Sequence, residues 1–97
     1  MRFSCGSKSY IIRFYYQDNY SSCTIESIDL IHSKNIFGFG EAVKHPKDVP
    51  NRVVGRRVAF ERAIDDFKQY FKGKPRKYKE FYQNAWLCFV NSVNGRL

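Results

Sequence analysis

The chain has 97 residues, 43% hydrophobic and 18% aromatic, and its 17 Lys and Arg against 9 Asp and Glu give a net charge of +8. That length fits one domain, residues 1–97, and nine Phe with seven Tyr exclude a chain lacking a core. No run approaches the roughly 20 apolar residues of a membrane span. The polar start MRFSCGSKSY also lacks the apolar centre of a signal peptide, so a cytoplasmic protein with no membrane partner is expected.

Ser9 to Tyr16, SYIIRFYY, is rich in β-branched and aromatic residues and reads as a strand. Tyr10, Ile12, Phe14 and Tyr16 share one face, Ile11, Arg13 and Tyr15 the other, and two largely apolar faces place the strand centrally. Gln17 to Ser22 is a polar turn cluster. Cys23 to Ile31 is a second strand with imperfect alternation, because Cys23 and Ile25 fall on one parity and Ile28 and Leu30 on the other. A β-bulge near Ser27 would reconcile them. After the turn Ser33-Lys34-Asn35, Ile36 to Val43 forms a third strand with Gly38 and Gly40 inside it, as at a bulge or close backbone approach. Short turns between consecutive strands imply an antiparallel meander.

Lys44 to Asn51, KHPKDVPN, is a loop punctuated by Pro46 and Pro50. A helix then runs from between Pro50 and Arg52 to about Phe71, with Val53, Phe60, Ile64, Phe67 and Phe71 as its core stripe. Val54 and Val58 lie off that stripe, as if the helix were covered by the sheet and by a second helix. Arg57 with Glu61 and Arg62 with Asp66 are spaced as i,i+4 pairs. Gly73 can cap this helix and Pro75 can open the next, from about Arg76 to Val93. Tyr78, Tyr82, Ala85, Trp86, Phe89 and Val93 mark its expected buried face, and Asn94-Gly95 its stop. The expected fold is α+β: a three-stranded antiparallel sheet followed by two helices packed on one face, in the order β-β-β-α-α.

The charge is concentrated. Residues 44–79 hold 12 Lys and Arg against 4 Asp and Glu, while 1–43 and 80–97 are each neutral. Lys44 and Lys47 precede the first helix, Arg52, Arg56, Arg57 and Arg62 line it, and Lys72, Lys74, Arg76, Lys77 and Lys79 follow it. Guanidinium forks fit phosphates and clustered lysines attract polyanions, so these eleven residues are the expected partner surface. Tyr70, Tyr78 and Tyr82 lie close in sequence, where they could stack on unpaired bases, although Tyr78 and Tyr82 also fit the core stripe.

Catalytic chemistry has little foundation in this chain. Cys5, Cys23 and Cys88 are odd in number and widely spaced, which argues against a disulfide framework, and with His32 and His45 they lack zinc-ligand spacing. Cys88 falls among apolar helix residues and Cys5 in a loose terminus, while adjacent Asp65 and Asp66 diverge around a helix. Gly38-x-Gly40 lacks the Gly-Lys-Ser/Thr of a phosphate loop. No catalytic residue, metal or cofactor is expected, and the chain reads as a binding module rather than an enzyme.

Two resemblances add to this. The run from Glu41 to Ile64 resembles small proteins of phages and prophages of Gram-positive bacteria, in which a strand ending in Ala, a Pro-x-Asp loop and a Gly-basic-x-x-Ala-x-x-Arg-Ala helix start follow one another. Here these are Ala42, Pro46, Asp48, Gly55, Arg56, Ala59, Arg62 and Ala63. The order of strands and basic helix is also similar to the double-stranded RNA-binding domain, with Arg56 and Arg57 in place of its Lys-Lys pair, but without its N-terminal helix and with an added C-terminal one. The phage resemblance implies a non-enzymatic inhibitor of a bacterial nucleic-acid-dependent defence complex, of the anti-CRISPR kind, acting in the host cytoplasm through the basic helix and loop. The alternative is a module that binds DNA or RNA directly. The partner is thus a host defence complex or nucleic acid, and the many aromatics leave a homodimer surface open.

Overall fold

The computed structural model describes residues 1–28, 36–43 and 52–94. Four strands, β1 (Arg2–Cys5), β2 (Lys8–Gln17), β3 (Tyr20–Ile28) and β4 (Ile36–Val43), precede α1 (Arg52–Phe67), a 3-10 turn (Lys68–Phe71) and α2 (Pro75–Asn94). The class is α+β, with one antiparallel sheet ordered β1-β2-β3-β4. β2 is central, as its two apolar faces required.

The sheet has four strands where three were expected. The first four-residue strand is too short and too polar to show a period, yet Met1 and Ile12 exchange backbone hydrogen bonds and Phe3 pairs with Tyr10. Cys5 is therefore half-buried in a strand rather than part of a loose end. The polar stretch 17–22 contains only a two-residue turn, because Asp18 takes φ 50°, a left-handed conformation that Asp tolerates, and the chain reverses at once. Tyr20, Ser21 and Ser22 already belong to β3.

No bulge occurs at Ser27. Pairing is unbroken from Ser9–Ile28 to Gln17–Tyr20 and from Tyr20–Val43 to Ser27–Ile36. The buried parity is Ser21, Cys23, Ile25 and Ser27, and Ile28 lies on the opposite one. A serine takes a core-facing position beside Tyr10, so counting apolar residues gave the wrong phase there. Leu30 and the turn at 33–35 lie outside the described residues.

Both helices pack on this face. Gly38 and Gly40 present no side chain to α1, and a Cβ on Gly40 would fall on the backbone of Ala59, Arg62 and Ala63. Two glycines on β4 facing two buried alanines on α1 let helix and strand approach more closely than any larger pair could. The rest of the core is aromatic. Phe60 stacks on Phe89 at 4.6 Å, Phe67 stacks on Phe81 at 4.8 Å, and Phe14 and Tyr10 of β2 close these two groups from below. Each buried ring contributes about 2–3 kcal/mol from apolar area alone.

On α1 the stripe Phe60, Ile64 and Phe67 is buried as expected, although the α-helix ends at Phe67 and Phe71 closes the 3-10 turn. The Val53 and Val93 side chains lie outside the described set. On α2 the stripe is Phe81, Ala85 and Phe89, with Tyr78, Trp86 and Cys88 half-buried. Tyr82 is 42% exposed, contrary to its expected place in the core. Phe81, one position earlier, takes that place because its ring reaches Phe67, Phe71, Tyr10 and Phe3 together.

The sheet edges are covered by helix side chains. Tyr70 Oη donates to Phe37 O at 2.9 Å, Phe39 N donates to Asp66 Oδ2 at 2.9 Å, and Arg62 Nη1 donates to Glu41 O at 2.6 Å. Four helical residues rise about 6.0 Å and two strand residues about 6.7 Å, so residues four apart on the helix match residues two apart on β4. On the other edge Cys88 Sγ lies 3.5 Å from Arg2 O. Edge strands invite pairing with other chains, and these contacts occupy groups that would make it.

Candidate nucleic-acid interface

The α1–α2 connection holds the densest run of positive charge among the described residues. The 3-10 turn tightens after Phe67, and Gly73, at φ 74°, reverses the chain in a conformation costly for a side chain. Lys74 N donates to Phe71 O at 2.9 Å, and Pro75 then opens α2, where its missing N–H costs nothing. Lys72, Lys74, Arg76, Lys77 and Lys79 are all exposed around this corner. The first turn of α2 contains no acid. A helix start carries positive partial charge and is normally complemented by Asp or Glu. Here basic residues occupy it instead, and an arriving anion would relieve both the side-chain repulsion and the helix dipole.

Two further cations join this end. Lys68, in the 3-10 turn, sets its Nζ 5.6 Å from the Tyr78 ring. Lys8, at the start of β2, lines the same cavity as Lys74 and Lys77. Neither was identified from sequence. Lys8 stands more than sixty positions away in a neutral segment, so only the fold brings it here.

The remaining expected site residues separate from this cluster. Arg56 is half-buried, with its guanidinium 5.7 Å from the Phe14 ring and 5.9 Å from the Phe89 ring. Its Nε is buried without a hydrogen-bond partner among the described residues. It is a packed arginine, so the comparison with a solvent-facing Lys-Lys pair fails at that position. Arg62 and Asp66 bond to β4 rather than to each other. Arg57 is exposed, but ten residues before Phe67, or about 15 Å along α1. Lys44, Lys47 and the Arg52 side chain lie outside the described residues, as do His32, His45 and the Pro46–Pro50 loop.

A second surface escaped the sequence reading. The sheet face turned away from the helices carries Tyr15, Phe37 and Phe39, each about half exposed (55%, 49% and 48%), with Val43 beside them. Arg13 Nη1 donates to Glu26 Oε2 at 2.7 Å on that face, and Tyr20 Oη donates to Glu41 Oε2 at 2.9 Å. The signal was present in Ile36-Phe37-Gly38-Phe39-Gly40: glycines on one parity for the helix, phenylalanines on the other, half exposed among the described residues.

Burial pushes the Cys23 thiol up to about 12 and also raises Cys5 and Cys88, which disfavours thiolate at neutral pH. No group of three His, Cys, Asp or Glu able to hold a metal occurs among the described residues. No helix among them is long and apolar enough to cross a membrane. No protein-family model, curated protein or solved structure matches this chain.

Proposed function

We propose that this chain is a non-enzymatic module that binds the backbone of DNA or RNA through the corner between α1 and α2. The observation carrying this reading is the acid-free start of α2, where Arg76 and Lys77 directly follow Lys72 and Lys74 and are flanked by Lys79, Lys68 and Lys8. Phosphates supply the missing negative charge, and ammonium groups on flexible stems suit a backbone read by charge rather than sequence. Fluorescence anisotropy with labelled single- and double-stranded DNA and RNA tests it. Binding at low salt that weakens steeply toward physiological salt is expected, and absence of binding to all four at low salt would refute it.

A second reading is that the same basic corner occupies the nucleic-acid groove of a bacterial defence complex, as the phage resemblance implies. The exposed sheet face favours it. Tyr15, Phe37 and Phe39 beside balanced charges have the composition of a protein-interface core, and they leave the basic corner free. Co-purification with a host nuclease, lost on Phe37→Ser plus Phe39→Ser, would establish it; retention of binding by that variant would remove the sheet face from the account.

A further inference from the structure

A cavity of about 220 Å³ opens beside the basic corner, between the β1–β2 turn and the start of α2. Its walls come from three parts of the chain. Gly6, Ser7 and Lys8 belong to the turn side, Tyr70, Phe71 and Lys74 to the connection, and Lys77 and Glu80 to α2. Tyr10 and Ser27, both almost fully buried, line it from the sheet. Three ammonium groups against one carboxylate select an anion over a cation. The aromatic walls select something more than a bare anion, because a phosphate alone would leave the rings of Tyr70 and Phe71 in water. Tyr70 is 40% exposed and held at both ends, by its bond to Phe37 O and by an edge contact with Phe67 at 5.0 Å. A ring already fixed in place loses little freedom when another ring stacks on it. The volume is below the roughly 300–1,000 Å³ of sites for larger ligands, so it fits one flat ring system rather than a dinucleotide.

We infer that this cavity holds a single nucleotide, its base against Tyr70 and Phe71 and its phosphate at Lys8, Lys74 and Lys77. The nucleotide is one splayed from a bound strand, or a free nucleoside monophosphate. The strand source rests on the basic corner being a nucleic-acid interface; the free source does not. Base–aromatic stacking is sequence-tolerant, so purine and pyrimidine monophosphates are both expected to bind.

The test is a titration of the ¹⁵N-labelled protein, following backbone amide shifts of Gly6, Ser7, Lys8, Tyr70, Phe71 and Lys74. The additions are AMP, UMP, ribose 5-phosphate, adenosine and a short single strand. The inference predicts that a monophosphate moves these signals, while ribose 5-phosphate and adenosine, each lacking one half, bind at least tenfold more weakly. Lys74→Gln with Lys77→Gln, both exposed and safe for folding, should weaken the monophosphate at least tenfold. Arg57→Gln, which removes an exposed charge ten residues before Phe67 and outside the cavity lining, should not. If the strand displaces the monophosphate, the strand is the source. If the monophosphate binds and the strand neither competes nor binds, the cavity assignment stands with a free nucleotide and the proposed strand-binding function falls. If the strand binds through Lys72, Arg76 and Lys79 while no addition moves the cavity signals, the cavity assignment is overturned and the function remains. Silence from every addition overturns both.

Discussion

Gly40→Ala is the most severe single-methyl change the fold offers. The added Cβ would overlap backbone atoms of α1 at Ala59 and Ala63 and lie 2.8 Å from the Arg62 carbonyl carbon. None of these can swing aside as a side-chain tip could, so α1 must withdraw from β4. Overpacking of this kind costs about 1–3 kcal/mol. Withdrawal also loosens the contacts from Arg62, Asp66 and Tyr70 to β4, at about 1 kcal/mol for each hydrogen bond lost. Against this, Ala in place of Gly restricts the unfolded chain and returns about 0.4–1 kcal/mol. The net expectation is a loss of about 3 kcal/mol, or about 12–24 °C in Tm for a domain of this size. Circular dichroism melts of Gly40→Ala against the parent read it directly. An unchanged or raised Tm would refute the close helix–strand approach, because an unobstructed strand position gains from Ala.

Other substitutions probe separate parts of the account. Asp66→Ala removes the acceptor for Phe39 N and should cost about 1 kcal/mol in urea unfolding while increasing self-association, seen by light scattering, as the β4 edge is uncovered. Arg56→Met should change stability by less than about 1 kcal/mol, since a cation–π contact and a buried N–H with no partner among the described residues offset each other. The same variant should leave nucleic-acid affinity within about twofold, because a packed arginine makes no phosphate contact. Stability should also fall in alkali. Burial holds Cys23 and Tyr10 neutral, raising them from 9.0 and 10.0 to about 12 each. Unfolding therefore releases protons above pH 9, and stability that is full below that pH is lost as pH rises toward 12, by up to about 1.4 kcal/mol per pH unit for each group. Cys23→Ala should be less stable at neutral pH but show a flatter decline in urea unfolding between about pH 8 and pH 10.5; parallel curves would contradict the assignment.

Long periodic stretches made most of the fold legible from sequence. Lys8–Gln17 and Ile36–Val43 announce themselves by composition, and Phe60, Ile64 and Phe67 by spacing. What escaped was set by tertiary contact. Arg2–Cys5 has no period of its own and becomes a strand because Met1 and Phe3 find Ile12 and Tyr10. Ser27 takes a core position through its place in the register, and Phe81 displaces Tyr82 because four other rings meet there. The candidate site divides likewise. The run from Lys72 to Lys79 was visible because no acid interrupts it. The contribution of Lys8, the burial of Arg56 and the attachment of Arg62 to β4 each depend on which residue lies opposite, which one chain read in order does not reveal.

The central claim is that five cations at one corner contact phosphates, and the salt dependence of binding tests it most directly. Duplex DNA affinity measured across a salt series should give a log–log slope near −4.5, from about −0.9 for each of five contacts. Replacing Lys72, Arg76 and Lys79 together by Gln should bring the slope to about −2, with the melting temperature unchanged. A parent that does not bind at low salt, or a variant that keeps the parental slope, would contradict the account.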